Sequence, residues 1–122
     1  MPKIVHFEIS SDYIERAGKF YSNVFGWQID KSDELDDYWF ISPESDDPYG
    51  ITGGITVRAY PNDSTVNTFE VESVDSYAKK ITEAGGKVVA PKISIPSVGY
   101  LVYCHDTEGN IFGIMEFDES AQ

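Results

Sequence analysis

The sequence predicts an α+β domain made of two copies of a β-α-β-β-β module. In this chain of 122 residues, a strand pattern, an amphipathic helix and further strand patterns follow one another in residues 3–59 and again in residues 66–118. A turn-rich stretch, 60–65, separates the two. We therefore expect one domain over residues 1–122, with module 1 at 3–59, a linker at 60–65 and module 2 at 66–118.

Module 1 begins with a strand at residues 4–10, whose alternate apolar side chains indicate a core-facing side. Asp12 and Glu15 have the spacing of a capping box, and apolar residues then recur at helical spacing until Gly26 ends the run. A single amphipathic helix is the result. Three further strands are predicted after it, at residues 27–30, 38–42 and 51–59.

Module 2 repeats this order of elements. Residues 66–71 alternate as a strand, and Phe69-Glu-Val within it repeats Phe7-Glu-Ile of the first strand. Ser73 can cap a second helix that ends at Gly85. Three further strands are predicted at residues 87–95, 100–105 and 111–117.

The charge of the chain argues against polyanionic partners. With a net charge of −12 and only nine Lys or Arg residues, the chain lacks the basic patch that nucleic acids require. Residues 30–47 hold eight acids against one base, Lys31. We expect solvated loops there; two alternatives are an acidic rim that attracts a cationic ligand and adaptation to a salty cytoplasm.

The sequence predicts a soluble, cytoplasmic protein. No apolar run approaches the roughly 20 residues needed to span a membrane, and the N-terminal residues lead straight into the first strand pattern, without the core of a signal peptide. The single cysteine, Cys104, has no partner for an internal disulfide, which fits a reducing compartment. We expect Cys104 to be a buried strand residue.

A module of about 60 residues buries only one face of its sheet, so the opposite faces of the two modules are expected to form a shared cleft. The strand alternation assigns the following residues to that cleft: His6, Glu8, Thr68, Glu70, Gly113 and Met115. Trp39 and Tyr103 would add an aromatic wall if they face inward.

Within the predicted cleft, Glu8 is the candidate catalytic residue. Glu8 and Glu70 occupy matching positions in the two modules, and a pair of carboxylates buried together would suit proton transfer. Gly54 and Gly113 lie inside predicted strands, where glycine indicates either room for a ligand or local curvature of the sheet. His105 is adjacent to an acid in the same strand, but neighbours in a strand point to opposite faces, so no catalytic pair is expected there.

Several longer motifs point to a known superfamily. They are His6-Phe-Glu-Ile, the helix end at residues 15–27, Ala-Gly-Gly-Lys-Val at 84–88 and Asp-Thr-Glu-Gly-Asn-Ile-Phe-Gly-Ile at 106–114. Together they resemble the vicinal oxygen chelate superfamily, which contains glyoxalases, bleomycin-resistance proteins and extradiol dioxygenases on a fold of paired βαβββ modules. The greatest similarity is to small proteins related to lactoylglutathione lyase.

The resemblance also implies where a metal would bind. Metal-dependent members place one ligand on each of four strands, and His6 matches the first. The other positions fall at Gly54, at Val66 or Thr68, and at Gly113, none of which supplies a usual transition-metal donor. We therefore expect no metal and no other cofactor. The alternative is a rebuilt divalent-metal site, in which His6 would be joined by Glu8, Glu70 and Glu116.

The resulting functional hypothesis is metal-independent binding of a small organic molecule in the cleft between the modules. Three alternatives stay open: a glyoxalase-like lyase or isomerase that uses a rebuilt site at His6 or the Glu8 carboxylate as a base, a protein that sequesters an antibiotic, and a regulatory subunit with a vestigial cleft. The resemblance further implies a homodimer. No nucleic acid or membrane partner is expected.

Overall fold

A computed structural model of the chain describes residues 2–33, 35–44, 47–59 and 63–122. These residues form an α+β fold that contains two helices. The elements are β1 (Lys3–Ser11), α1 (Ile14–Phe25), β2 (Gln28–Lys31), β3 (Tyr38–Ser42), β4 (Thr52–Val57), β5 (Val66–Glu70), α2 (Val74–Glu83), β6 (Lys87–Val88), β7 (Ile93–Ile95), β8 (Gly99–His105) and β9 (Ile111–Phe117). Among the described residues, no helix is long and apolar enough to cross a membrane.

The chain divides into two compact units. The first unit is His6–Val66, and the second combines Met1–Val5 with Asn67–Gln122. In the first unit the strand order is β2-β3-β4-β1, and β1 runs parallel to β4 while the other pairs are antiparallel. Its buried core consists of Ile14, Ile41 and Ile55, around which half-buried residues of α1 and the strands pack.

The start of α1 differs from the predicted capping box. The N-cap residue is Tyr13, whose side chain makes no capping hydrogen bond. The Asp12 carboxylate instead accepts a hydrogen bond from Nε of Arg58, at 3.1 Å, and forms an ion pair with it. The prediction was wrong because a guanidinium from a distant strand end competes for the carboxylate, which the local spacing does not reveal. The predicted end is confirmed, since Gly26 adopts the left-handed conformation with φ +70°.

The second unit repeats the same pairing. Its strand order is β5-β9-β8-β6, with β7 also paired to β8, and β5 runs parallel to β9. The buried core beneath α2 consists of Val71, Val74, Val102, Cys104 and Ile114. Cys104 is fully buried, which confirms the prediction from its strand position. The predicted cap of α2 is confirmed too, because the Ser73 side chain accepts a hydrogen bond from the backbone N–H of Ser76.

The strand predicted at residues 87–95 is wrong as a single element. The structure divides it into β6 and β7, which both pair with β8. Val89 still donates its backbone N–H to the carbonyl of Tyr103 at 3.0 Å, but Pro91 follows shortly after it. Since proline has no N–H to donate, the ladder is interrupted there and resumes at Ile93.

The acidic stretch at residues 30–47 is solvated wherever the structure describes it. The described acids of this stretch, which are Asp30, Asp33, Asp36, Asp37, Glu44 and Asp47, are all exposed. Glu34 and Asp46, and residues 60–62 of the predicted linker, lie outside the described residues. Exposure of these carboxylates agrees with the expectation of solvated loops.

Candidate functional site

The first unit presents a polar face on the side of its sheet opposite α1. Phe7 and Ile9 of β1 pack into the core beneath the helix, so the alternate residues His6 and Glu8 lie on the other face. Both are half-buried. The predicted positions of these two side chains on the face away from the helix therefore agree with the packing.

Two hydroxyl groups hold the imidazole ring of His6. Its Nδ1 lies 2.7 Å from Oγ1 of Thr52, which is the residue directly opposite His6 in the β1–β4 pairing. Its Nε2 lies 2.8 Å from the hydroxyl of Tyr38 in β3. A neutral imidazole has one donor and one acceptor nitrogen, so one hydroxyl accepts a hydrogen bond and the other donates one. The ring is thereby fixed in orientation.

The electrostatics favour a neutral His6. Partial burial lowers the pKa of His6 below its ordinary value, and the nearby Glu8 carboxylate opposes this by raising it. Burial is the larger of the two effects, because removing the imidazolium from water costs more than the carboxylate returns. At neutral pH the site therefore combines an uncharged imidazole with an acidic side chain on the same strand face.

Gly54 makes room for Tyr38. A Cβ atom at Gly54 would overlap the hydroxyl and ring of Tyr38, so the aromatic ring lies directly over the glycine. The space that the sequence assigned to a ligand or to curvature is thus filled by the protein's own side chain. Tyr38 and Thr52 were absent from the predicted site. The available signal was the Tyr-x-Phe alternation of β3, which places Tyr38 and Phe40 on one face.

The second unit carries the other predicted residues on the face away from α2. Val102 and Cys104 face the helix, so Tyr103 faces the opposite side and pairs in register with Gly113. Thr68 lies opposite Gly113 in the β5–β9 pairing and is 3% exposed. A Cβ on Gly113 would come within 2.9 Å of Oγ1 of Thr68. The remaining members, Glu70 and Met115, are register partners and half-buried.

Trp39 does not face this side of the sheet, and its predicted place in the cleft is wrong. The side chain packs against α1, where a Cβ added to Gly18 would be 3.3 Å from the indole ring. It belongs to the half-buried layer around the core of the first unit. Since Tyr38 lies on the opposite face, strand alternation itself places Trp39 beneath the helix.

The residues present do not fit a transition metal. Both ring nitrogens of His6 are already hydrogen bonded, and its register partner Thr52 is a hydroxyl residue. Among the residues that the structure describes, no three His, Cys, Asp or Glu side chains are placed to hold a metal ion. Glu116, considered for a rebuilt site, instead accepts a hydrogen bond from the backbone N–H of Val74 at the start of α2. The expectation of a metal-free protein stays a prediction, as do the binding roles of the other site residues.

Comparison with known proteins supports the resemblance. The model of the bleomycin resistance protein-like N-terminal family matches residues 3–40. A glyoxylase-like domain-containing protein of Didymella fabae is 29% identical over 120 residues, which cover 88% of each chain.

Solved structures show the same fold at low sequence identity. A glyoxalase/bleomycin resistance protein/dioxygenase superfamily member from Vibrio splendidus 12B01 has a TM-score of 0.70 at 11% identity, over 95% of this chain and 99% of that chain. A variant of Streptomyces coelicolor methylmalonyl-CoA epimerase in complex with 2-nitronate-propionyl-CoA has a TM-score of 0.66 at 15% identity, over 98% and 97%. These comparisons support the resemblance to the glyoxalase/bleomycin resistance/dioxygenase superfamily, whose fold the chain shares.

Proposed function

We propose that the protein binds a small organic molecule, without a transition metal, on the face of the first unit that carries His6 and Glu8. The observation that carries this proposal is the fixed imidazole: two side-chain hydroxyls, at 2.7 Å and 2.8 Å, orient a half-buried ring beside a carboxylate. Groups held in this way recognise a ligand at a low cost in side-chain entropy. The resemblance to the superfamily supports small-molecule binding in general.

The chemistry of the face suggests a ligand with an apolar part and a polar part. The rings of Tyr38 and Phe40 meet edge to face with centroids 5.1 Å apart, and Phe40 is 43% exposed. An apolar or aromatic group can cover Phe40, while a hydroxyl, amide or amine can reach His6 or Glu8. Sequestration of an antibiotic is a special case of this binding function.

Calorimetric titration of metal-stripped protein tests the proposal. One probe is methylmalonyl-CoA, which is bound in a solved structure of the same fold. The other two, S-lactoylglutathione and bleomycin, are chosen from the resemblance to glyoxalases and bleomycin-resistance proteins. We expect saturable binding of one of them, weakened about 10-fold or more by His6→Ala because the fixed ring is lost. His105→Ala, which removes the other histidine, is the matched control and should bind normally.

Elemental analysis after exposure to Ni²⁺, Zn²⁺, Mn²⁺ and Fe²⁺ completes the test. Retention of about one metal ion per chain, lost in His6→Ala, would overturn the metal-free proposal and favour the lyase with a rebuilt site. If none of the three organic probes binds the metal-stripped protein, the proposal that it binds ligands of these classes is wrong.

A second candidate is a metal-independent isomerase or lyase that moves a proton. The specific observation is that burial lowers the pKa of His6, which leaves a neutral base on the same strand face as the candidate Glu8. Incubation with methylmalonyl-CoA in D₂O would reveal exchange of the proton next to the carbonyl. We expect Glu8→Gln to slow such exchange by about 100-fold or more if Glu8 takes the proton. Binding without exchange would contradict the enzymatic reading and leave the binding function intact.

We also propose that the protein is a cytoplasmic homodimer. The support is the single, fully buried Cys104, which suits a reducing compartment, together with the superfamily resemblance. Sedimentation equilibrium checks the oligomeric state: a mass of one chain at micromolar concentration would exclude the dimer.

A further inference from the structure

A concave site lies in the first unit, on the helix side of its sheet. It is a groove of about 530 Å³ at the end of α1. Its apolar walls are Phe7, Phe25, Trp27, Ile41 and Ile51. Phe7 and His6 are neighbours in β1 and point to opposite faces, so the groove is separate from the face that holds the imidazole.

Aromatic rings form one wall of this groove. The ring centroid of Trp27 lies 5.6 Å from that of Phe25 and 5.9 Å from that of Phe7. Tyr21 stacks against Trp27 at 5.1 Å and an interplanar angle of 8°. Phe25 is nevertheless 59% exposed, so ring surface that the core does not use faces solvent beside the groove. Exposed aromatic surface of this kind attracts apolar groups and organic cations.

Negatively charged groups also line the groove. Glu44 and Asp47 line the groove and are exposed. Asp47 is held in place, because its Oδ1 accepts the backbone N–H of Tyr49 at 2.9 Å. The C-terminal end of α1, where the helix dipole is negative, lies at the groove and has no basic residue in its last turn. None of the described residues that line the groove is Lys, Arg or His.

We propose that this groove binds an organic ammonium ion that carries an aromatic or apolar group. The rings of Phe25 and Trp27 would contact the apolar part of the ligand and the ammonium group next to it. Asp47 and Glu44 would balance the positive charge of the ammonium group. The negative end of α1 adds to the same preference. The overall charge of −12 further raises the local concentration of cations.

Titration with three ligands of the same shape and different charge tests the proposal. The probes are 2-phenylethylamine, 2-phenylethanol and 3-phenylpropionate, and the measurement is the change in backbone and indole NMR signals of the full chain. We expect the amine to bind about 10-fold more tightly than the alcohol, and the carboxylate to bind most weakly. The perturbed signals should map to Gly26, the Trp27 indole and Gly50, which line or adjoin the groove.

Charge variants distinguish binding of the amine in the groove from general electrostatic attraction to the acidic chain. Glu44→Gln and Asp47→Asn should each weaken amine binding about 3-fold, and the double variant about 10-fold, because exposed charges each contribute modestly. Asp33→Asn is the matched control, since it removes an exposed acid of the same stretch that does not line the groove. It should leave the affinity within about 1.5-fold.

A ring variant tests the aromatic wall. Phe25→Leu keeps an apolar side chain on an exposed position, so the fold should persist, but it should weaken the amine about 3-fold while the alcohol changes less. Equal affinity for the amine and the alcohol, signal changes outside the groove, or an Asp33→Asn effect as large as that of Asp47→Asn would each overturn the proposal. So would the absence of amine binding.

Discussion

The two units share a pattern of strand pairing but present different faces. In the first unit β1 runs parallel to β4, and in the second β5 runs parallel to β9. His6 and Thr68 occupy matching places in the two patterns, because each directly precedes a Phe-Glu pair in its strand. The first is held by two hydroxyls, whereas the second is a buried threonine opposite a glycine. One backbone pattern can therefore place a hydrogen-bonded histidine at this position in one unit and a buried threonine in the other.

The glycines account for much of this difference. In the first unit, Gly54 leaves space that the ring of Tyr38 fills, and the ring brings its hydroxyl to His6. In the second unit, Gly113 leaves space beside Thr68 and the end of Leu101. The same missing Cβ atom thus supports a hydrogen-bonded network in one unit and close packing of short groups in the other.

Truncation in the two cores should have the largest effect. Ile55 in the first unit and Ile114 in the second are 0% and 2% exposed. Ile55→Ala and Ile114→Ala should each lower the free energy of unfolding by about 2–5 kcal/mol, since each leaves a cavity. Urea unfolding measures this. Ile111→Ala, at a residue 39% exposed, is the control and should cost about 1 kcal/mol or less.

Adding one methyl group at Gly54 or at Gly113 should affect the stability of the two units differently. Gly54→Ala displaces Tyr38 and should cost about 1–3 kcal/mol of unfolding free energy. Gly113→Ala meets one side-chain atom, Oγ1 of Thr68, at less than 3 Å, and should change stability by about 1 kcal/mol or less. Urea unfolding gives both values. If Gly113→Ala costs as much as Gly54→Ala, the two faces do not differ as described.

The helix starts offer a smaller contrast. The N-cap side chain of α2, Ser73, makes a capping hydrogen bond, whereas that of α1, Tyr13, makes none. Ser73→Ala should therefore cost about 1 kcal/mol of unfolding free energy, because an N–H of the first turn loses its acceptor. Tyr13→Ser should cost much less than that or stabilise the chain, since the new hydroxyl can cap α1 while the contact of Arg16 with the Tyr13 ring is lost. Thermal unfolding would contradict this if the two variants lost equal stability.

The pH dependence of stability should reveal the His6 environment. Burial lowers the pKa of His6 in the folded state, while a histidine in the unfolded chain has a pKa of about 6.5. The unfolded chain therefore takes up the proton first, so this contribution to stability is present above about pH 6.5 and is lost as pH falls toward the folded pKa. His6→Gln should reduce the slope of unfolding free energy against pH in this range. His105→Gln should retain it.

Most of the backbone could be predicted from the sequence because periodicity and turn residues are local signals. The helix end at Gly26, the cap at Ser73 and the burial of Cys104 all follow from residues close in the chain. The alternation of β1 likewise places His6 and Glu8 away from the helix. The failure at Asp12 involves a distant partner, Arg58, that the local pattern does not include, whereas the break within residues 87–95 follows from Pro91, a local signal that the prediction did not use.

The sequence by itself determined the α+β class, the repeat of elements and the position of His6 and Glu8 on the face away from the helix. Only the tertiary structure decided that Tyr38 fills the space above Gly54, that Thr52 and Tyr38 share His6, and that Trp39 lies under α1. The physical reason is the distance along the chain over which each signal acts. Strand periodicity acts over a few residues, whereas the partners of His6 in these hydrogen bonds are 32 and 46 residues away and meet it through strand pairing and ring packing.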